Sequence, residues 1–450
     1  MADDLRQARR VARWRRCALA CSILACSGLL EAGAAGPQPA ADDWQWRAGA
    51  PATVLSTADM ERLGIAIPDG TIGFVREPGA RDYYVAAAAG SFSGVGLRAR
   101  RPAGTYAFFG ALEGFEPVRR EEGWPALSLA DGRAQPSPDH SEFDRDYGGG
   151  GPTYLLHPDG SVAPLPAGQG RGPVSRDPGA VLVQIYHGEY HFRPKGGLPA
   201  YGGSGMAVSY DGGRSFVKLG QILAPHVTRE EVAASSFGGG LWADGAMVEA
   251  DGQRRWHAED LGREASRRSD RYFYLVFTDH NSLAEPYVGI SIARAPVHEL
   301  YDALRQHRAP RFRKYFDPQG QGASGADRFT EPGLGGRSTP VLATRGQFIN
   351  TPGVLFDRRL QRYLLFYQSN QKEVQLRTSE DLIRWSEPFT AFSAGQDSDL
   401  RVFYPSVAGE DDDPQLPGER FFLYFLVRER DAAGRFAHPR LLREEISAAR

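Results

Sequence analysis

The stretch VQLRTSEDLIRWSEP, residues 374–388, contains a short strand pattern, a polar turn and a closing aromatic residue. Two other stretches have the same order: GMAVSYDGGRSFVKLG at 205–220 and VGISIARAPVHELYDA at 288–303. Repetition of one strand-and-turn pattern indicates a chain built from similar supersecondary units. The sequence therefore predicts a repeat architecture.

Upstream of these outer segments, the chain contains pairs of strand patterns joined by loops rich in Asp, Gly and Pro. The second strand of each pair is almost entirely apolar, which predicts burial on both of its faces. The pairs are GTIGFVREPGARDYYVAAA (70–88), GGPTYLLHPDG (150–160) with AVLVQIYHGEY (180–190), DGAMVEADG (244–252) with RYFYLVFTDHN (271–281), NTPGVLFDRRLQRYLLFYQSN (350–370), and YPSVAGEDDD (404–413) with RFFLYFLVRER (420–430).

Five units of four strands predict an all-β protein, a five-bladed β-propeller with long inter-strand insertions. The largest insertions fall at 215–240 and 297–346. Radial repetition protects sheet edges, which accounts for the recurrence of the pattern. We expect the propeller to span residues 63–450. The alternative is a two-sheet β-sandwich with a helical insertion.

The first 36 residues have the features of an export signal. A basic start is followed by an apolar run at 17–30, which is shorter than the about 20 residues of a membrane-spanning helix. Cleavage after Ala34, lipidation of Cys26 in a lipoprotein-like signal and retention as an anchor all stay open. Residues 37–62 are expected to form a leader or linker, and the protein to be exported from a bacterial cell.

The composition excludes several classes of function. The net charge of −2 and the lack of a basic aromatic patch argue against nucleic-acid binding. All three cysteines (Cys17, Cys21, Cys26) lie in the signal, so the mature chain has neither a disulfide nor a thiolate metal site. The chain contains no phosphate-binding loop, dinucleotide fingerprint, HExxH motif or GxSxG nucleophile elbow.

Two turns resemble those of known propellers. The stretch SYDGGRSF at 209–216 resembles the Asp box of sialidases, and SEDLIRW at 379–385 resembles a turn of five-bladed propeller glycosidases of the arabinanase, β-xylosidase and levanase type. The resemblance implies structural roles for Asp211 and Asp381. It also implies three inward-facing catalytic carboxylates, but no motif at the start of the first blade matches those families, so their positions are sought from the residues.

Candidate catalytic carboxylates lie where inner strands begin and second strands end, because these points converge at one end of a propeller channel. Asp146 precedes a glycine-rich strand that could let the backbone approach a ligand. Asp244 stands before the third inner strand. We expect Asp146 and Asp244 to act as base, nucleophile or orienting acid. Glu189 follows an apolar strand, where desolvation is expected to raise its pKa and suit it to act as a general acid.

Further polar residues at similar positions are candidates for substrate binding, by hydrogen bonding, by stacking on a sugar or by bidentate arginine contacts. They are His187, Trp242, Asp279, His280, Arg337 and Arg401. His187, Glu189 and His191 share one strand face, but this spacing is weak support for a metal site, and none is assigned. A bound divalent cation such as calcium stays open.

The sequence thus predicts an exported glycoside hydrolase that acts on a polysaccharide or oligosaccharide, with a furanoside such as arabinan as one candidate. Paired carboxylates in the central cavity would perform the reaction. The alternative is a non-catalytic propeller that binds glycans or a surface. We expect a monomer with a carbohydrate partner.

Overall fold

The structure of the protein is a computed structural model. It describes residues 44–76, 81–89, 104–111, 114–117, 142–156, 180–192, 200–234, 241–242, 247–250, 272–279, 289–318, 327–343, 347–410, 418, 420–430 and 434–449. The predicted signal lies outside these residues. No helix in the described part of the chain is long and apolar enough to cross a membrane.

The described chain begins with two short strands and a helix: β1 (Gln45–Ala48), β2 (Ala52–Leu55) and α1 (Thr57–Leu63). Two antiparallel sheets follow, and we call each sheet of the fold a blade. Blade 1 contains β3 (Gly73–Val75), β4 (Tyr83–Ala89), β5 (Gly104–Ala111) and β6 (Gly114–Pro117). Blade 2 contains β7 (Tyr147–Leu156), β8 (Val181–His191), β9 (Ala200–Ser209) and β10 (Val217–Leu223), and α2 (Arg229–Ala234) follows.

Three further blades complete the fold. Blade 3 contains β11 (Leu241–Trp242), β12 (Met247–Ala250), β13 (Tyr272–Asp279) and β14 (Gly289–Pro296), then α3 (Val297–Arg305), β15 (Arg313–Lys314), β16 (Glu331–Pro332) and β17 (Leu342–Ala343). Blade 4 contains β18 (Ile349–Asp357), β19 (Arg362–Ser369), β20 (Glu373–Ser379) and β21 (Phe389–Ser393). Blade 5 contains β22 (Leu400–Gly409), β23 (Arg420–Arg430) and β24 (Phe436–Ala449).

The blades form a closed ring, because five buried apolar clusters each join two neighbours. The clusters lie between blades 1 and 2 (Tyr84, Tyr186), 2 and 3 (Val208, Phe277), 3 and 4 (Ile292, Leu365), 4 and 5 (Leu364, Leu423), and 5 and 1 (Tyr424, Phe74). Adjacent residues such as Leu364 and Leu365 enter different clusters, since successive side chains of a strand face opposite sides. The predicted five-bladed β-propeller and its doubly buried second strands are thus confirmed.

The N-terminal segment completes the last blade. Both β1 and β2 pair with β24, and Met60 of α1 packs in the cluster between blades 5 and 1. Residues 44–62 are therefore part of the propeller, where the sequence had suggested a leader or linker. Their strands are short and mostly exposed, so they lack the apolar pattern that marks the other strands.

The two turns singled out in the sequence are held by their aspartates. Asp211 accepts a hydrogen bond from the Ser215 amide at 2.9 Å, between β9 and β10. Asp381 accepts from the amides of Ile383 and Arg384 at 3.0 and 2.8 Å, after β20. Both carboxylates thus stabilise their turns, where the resemblance had implied structural roles for them.

Three inner strands share a bulge that contains a proline. The register of β7, β18 and β22 shifts at Pro152, Pro352 and Pro405, where a proline leaves no ladder donor unsatisfied. The residues before two of these prolines, Thr351 and Tyr404, have φ angles of 49° and 56°. Beyond the bulges, four inner strands enclose a narrow axial cavity of about 30 Å³.

Candidate active site

One end of the propeller collects the start of each inner strand and the end of each second strand, because these two strands are antiparallel. We call this end the mouth. In blades 2 to 5, the residues paired at this end are Tyr147 with Glu189, Leu241 with Asp279, Ile349 with Ser369, and Leu400 with Glu429. In blade 1, the Asp69 amide donates a hydrogen bond to the Ala88 carbonyl. The Val402 amide also donates to Gln371, which joins blade 5 to blade 4 at this end.

Asp69 lies four residues before the start of β3 and contacts residues of three blades. Its Oδ1 accepts a hydrogen bond from the Tyr404 hydroxyl of blade 5 at 3.0 Å. Its backbone carbonyl accepts from the Tyr147 hydroxyl of blade 2 at 3.2 Å. The side chain is enclosed by protein but still partly accessible to solvent, so a ligand in the mouth could reach it.

Glu189 lies at the end of β8 between two histidines of the same strand face. His187 Nε2 lies 3.1 Å from Oε1, and His191 Nε2 lies 2.5 Å from Oε2. With the carboxylate ionised, both rings donate, and the carboxyl group is fixed in orientation. Its side chain retains 17% exposure, so it too can be reached from the mouth.

The two carboxyl groups have pKa values displaced in opposite directions. Burial raises the pKa of Asp69, and the nearby charge of Glu189 adds to this rise, while Arg428 and Tyr404 oppose it. Burial also acts to raise the pKa of Glu189, but the hydrogen bonds of His187 and His191 lower it to about 2. The raised pKa predicted for Glu189 was therefore wrong, since the histidines outweigh desolvation.

Asp146 lies near the mouth end of β8, where its carboxylate accepts several hydrogen bonds. It accepts from Arg145 Nη2 at 2.7 Å and from the His191 amide at 2.7 Å, and Arg145 also stacks on Tyr190. Burial would raise the pKa of Asp146, but these hydrogen bonds lower it overall. The arrangement makes Asp146 an anchor for the strand that carries Glu189.

The glycines after Asp146 serve strand packing. A Cβ on Gly149 would meet the Tyr147 hydroxyl, one on Gly150 would meet Gln184, and one on Gly151 would meet Thr71 of the first inner strand. The glycines therefore allow close packing against other parts of the protein, in particular blade 1. The sequence had suggested that they allow close approach of a ligand.

Asp279 cannot contact a substrate, although it lies at the end of β13 as predicted. Its side chain is 0% exposed and accepts from the Ser338 hydroxyl at 2.5 Å, with Lys314 Nζ at 3.9 Å. Burial raises the pKa of Asp279 and lowers that of Lys314. The insertion that carries Lys314 and Ser338 covers this site, which the strand pattern did not reveal.

The remaining predicted site residues have mixed outcomes. Arg401 is half-buried at the start of β22. Arg337 is exposed beside Ser338, and its backbone amide donates to Glu331 Oε2 at 3.3 Å. The backbone of Trp242 pairs with Thr278 at the mouth end of blade 3. Asp244 and His280 lie outside the described residues.

Metal ligation has no support in the described part of the chain, where no group of three or more His, Cys, Asp or Glu side chains is arranged to hold an ion. The His187, Glu189 and His191 side chains are hydrogen-bonded to one another. Their arrangement orients a carboxylate.

Sequence reasoning missed Asp69, Tyr404 and Arg428. Asp69 is the aspartate of an Asp-Gly pair before an inner strand, which is the same setting that marked Asp244, so that rule applied to the first unit would have found it. Tyr404 and Arg428 could not be found in this way, because their proximity to Asp69 results from closure of the ring.

No protein-family model matches the chain, and no curated protein matches its sequence. Among solved structures, it is similar to an α-L-arabinofuranosidase from Podospora anserina in complex with cellotriose, with 10% identity, 90% of this chain and 97% of that chain covered, and a TM-score of 0.41. An α-L-arabinofuranosidase from Lactobacillus brevis has 12% identity, covering 84% and 91%, with a TM-score of 0.40.

A third similar structure is an exo-β-1,3-galactanase from Clostridium thermocellum, with 9% identity, 84% of this chain and 62% of that chain covered, and a TM-score of 0.40. Similarity at this level assigns neither a substrate nor catalytic residues. The fold assignment rests on the five blades and the five clusters that join them.

Proposed function

We propose that this protein is an exported glycoside hydrolase that cleaves a polysaccharide or oligosaccharide at the mouth of the propeller. A furanoside such as arabinan is the first substrate to test. The observation that carries the proposal is the pair of recessed carboxyl groups, Asp69 and Glu189, whose pKa values are displaced in opposite directions. A carboxyl group that holds its proton more tightly than usual and one that loses it more readily are suited to acid and base roles.

In the proposed reaction, Asp69 is the general acid. It gives its proton to the glycosidic oxygen as the bond between that oxygen and the anomeric carbon breaks. Solvent water returns a proton to Asp69 at the end of the cycle. The enclosure that raises its pKa keeps the acid protonated at a pH where a solvated aspartate would be ionised.

Glu189 is the ionised partner in this proposal. It either removes a proton from the attacking water and later releases that proton to solvent, or it attacks the anomeric carbon itself and is freed when a water deprotonated by Asp69 hydrolyses the glycosyl ester. The separation of the two carboxyl groups in the substrate complex decides between these routes. His187 and His191 keep Glu189 ionised and fix its orientation through their Nε2 contacts. Asp146 supports the same strand by binding the His191 amide.

The roles first suggested for Asp146 and Glu189 change accordingly. Asp146 becomes a positioning residue, and Glu189 becomes the base or nucleophile in place of the general acid. Asp244 stays a candidate for the third carboxylate, and Trp242 and His280 stay candidates for substrate contacts. His187 supports Glu189, while Arg401 faces the substrate.

A panel of arabinan, arabinoxylan, xylan, galactan and levan, assayed for released sugars, tests the proposal. We expect wild-type protein to hydrolyse at least one of them, and Asp69→Asn and Glu189→Gln to lose about 100-fold or more of the activity. Glu380→Gln is the matched control, because Glu380 is exposed in the turn after β20, at the opposite end of the blade.

Full activity in either mouth variant would contradict the assigned roles. Binding of a glycan without any product would instead support the non-catalytic alternative.

A further inference from the structure

Two arginines lie directly opposite each other at the mouth of blade 5. In the antiparallel register of β22 and β23, Arg401 is the partner of Arg428, so both side chains are on the same face of the sheet. Arg428 is 3% exposed and stacks over Phe403 at 5.0 Å, whereas Arg401 is half-buried and lies nearer the solvent. Like charges in such a pair repel each other.

A third cation converges on the same place. Arg401 Nη1 donates to the backbone carbonyl of Ser398 at 2.9 Å, and Lys372 Nζ donates to that same carbonyl. The other hydrogen bond of Arg401 within the described residues goes to the Leu400 carbonyl at 2.9 Å. Two positive side chains thus share one neutral acceptor, and the described contacts give Arg401 no carboxylate partner.

This cluster also acts electrostatically on Asp69, the proposed general acid. Arg428 acts electrostatically on Asp69, which the Tyr404 hydroxyl of the same blade also contacts. Asp397 and Asp399, which act electrostatically on Lys372, are exposed on the adjoining loop and are screened by solvent. An anion bound beside Arg401 would therefore meet the positive charge of Arg401, Arg428 and Lys372, with the ionised Glu189 that acts on Asp69 as an opposing charge.

We propose that Arg401, supported by Arg428 and Lys372, binds a carboxylate on the substrate, so that the preferred glycan carries a uronic acid at or next to the cleaved bond. The proposal rests on the proposed function for the presence of a glycan at the mouth. A guanidinium group fits a carboxylate by two parallel hydrogen bonds, and such charge-assisted bonds are stronger than those to sugar hydroxyls.

Binding to the full chain with Asp69→Asn tests this inference without hydrolysis. Titration calorimetry would compare polygalacturonate, glucuronoxylan and glucuronic-acid-bearing arabinogalactan oligosaccharides with their carboxyl-reduced forms. At least one acidic glycan should bind about 10-fold or more tightly than its reduced form. Adding Arg401→Gln should abolish that difference, whereas adding Arg362→Gln, at the opposite end of blade 4, should preserve it.

Equal affinity for acidic and reduced forms would overturn the inference, as would an absence of binding to every acidic glycan. A preference for sulfated over carboxylated glycans, or a preference that survives Arg401→Gln, would also overturn it. The outcome is separable from the proposed function. Hydrolysis of a neutral glycan with no acidic preference rejects only this inference, and acidic binding without hydrolysis by wild-type protein rejects only the enzymatic proposal.

Discussion

Glu444 of β24 shows how surroundings decide the behaviour of a single carboxyl group. The side chain is 4% exposed, and its Oε2 has no hydrogen-bond partner among the described residues. It shares one face of β24 with Leu442 and Ile446, which belong to the apolar cluster between blades 4 and 5. Burial alone raises the pKa of Glu444 to about 7, whereas the histidines beside Glu189 lower its pKa to about 2.

The raised pKa of Glu444 predicts that the stability of the fold depends on pH. The unfolded chain loses the Glu444 proton near pH 4.5, so the folded state binds the proton more tightly, and folding becomes less favourable as pH rises from about 4.5 to 7. Glu444→Gln removes this penalty of at most about 3 kcal/mol. Urea unfolding should therefore show the variant gaining stability over wild type between pH 5 and pH 8.

Glu445→Gln is the control, because Glu445 is half exposed and paired with Arg420. A difference between Glu444→Gln and wild type that is the same at both pH values would contradict this account.

The hydroxyl of Tyr404 gives a second prediction at this scale. Its hydrogen bond to Asp69 Oδ1 stabilises the ionised carboxylate and so lowers the pKa of Asp69. In Tyr404→Phe this pKa should rise, and the alkaline limb of the kcat/KM profile should move to higher pH if Asp69 acts as an acid.

The matched control is Tyr83→Phe, which loses a hydroxyl contact to the Gly409 carbonyl away from Asp69. An alkaline limb that does not move, or moves to lower pH, would argue against Asp69 as the acid.

At the level of elements, local patterns predicted the turns well and the bulges poorly. The turn at 379–385 is determined by Asp381 and its near neighbours in sequence, so the pattern is sufficient to identify it. The conformation of Thr351 and Tyr404 is the opposite case. A residue before proline normally prefers an extended backbone, but both residues have positive φ within the packed inner ring.

We expect substitution of Asp381 to lower the stability of the protein without lowering its catalytic activity. Asp381→Ala leaves the amides of Ile383 and Arg384 without their acceptor, which should cost about 1–3 kcal/mol of unfolding free energy. Denaturant unfolding measures the loss, and the activity per folded molecule should stay close to wild type. Lost activity with unchanged stability would show that the turn contributes to the site.

At the level of the whole molecule, the ring is closed by strands from both ends of the described chain. The repeats predicted the five blades, because each second strand is apolar on both faces and must be covered by two neighbours. They did not predict that residues 44–62 belong to blade 5, since pairing with β24 is a contact between distant residues. The predicted substrate contact of Asp279 was wrong for the same reason, because the insertion that carries Ser338 buries this side chain.

Removal of the closing strands should weaken the entire fold. A chain that starts at residue 57 lacks β1 and β2, which leaves the edge of β24 unpaired and open to association. We expect a lower thermal midpoint and more aggregation than for a chain that starts at residue 41. Equal midpoints and equal monomer content by light scattering would show that closure does not depend on these strands.

The most direct test of the central claim is the dependence of Asp69→Asn on the leaving group. Once a hydrolysed glycan identifies the sugar, kcat/KM would be measured for aryl glycosides of that sugar with leaving groups of different pKa. A dinitrophenolate departs without protonation, so Asp69→Asn should retain most activity on that substrate but lose about 100-fold or more on the unactivated glycan. Glu189→Gln should lose activity on both. An equal loss for Asp69→Asn on both substrates would contradict its role as the general acid.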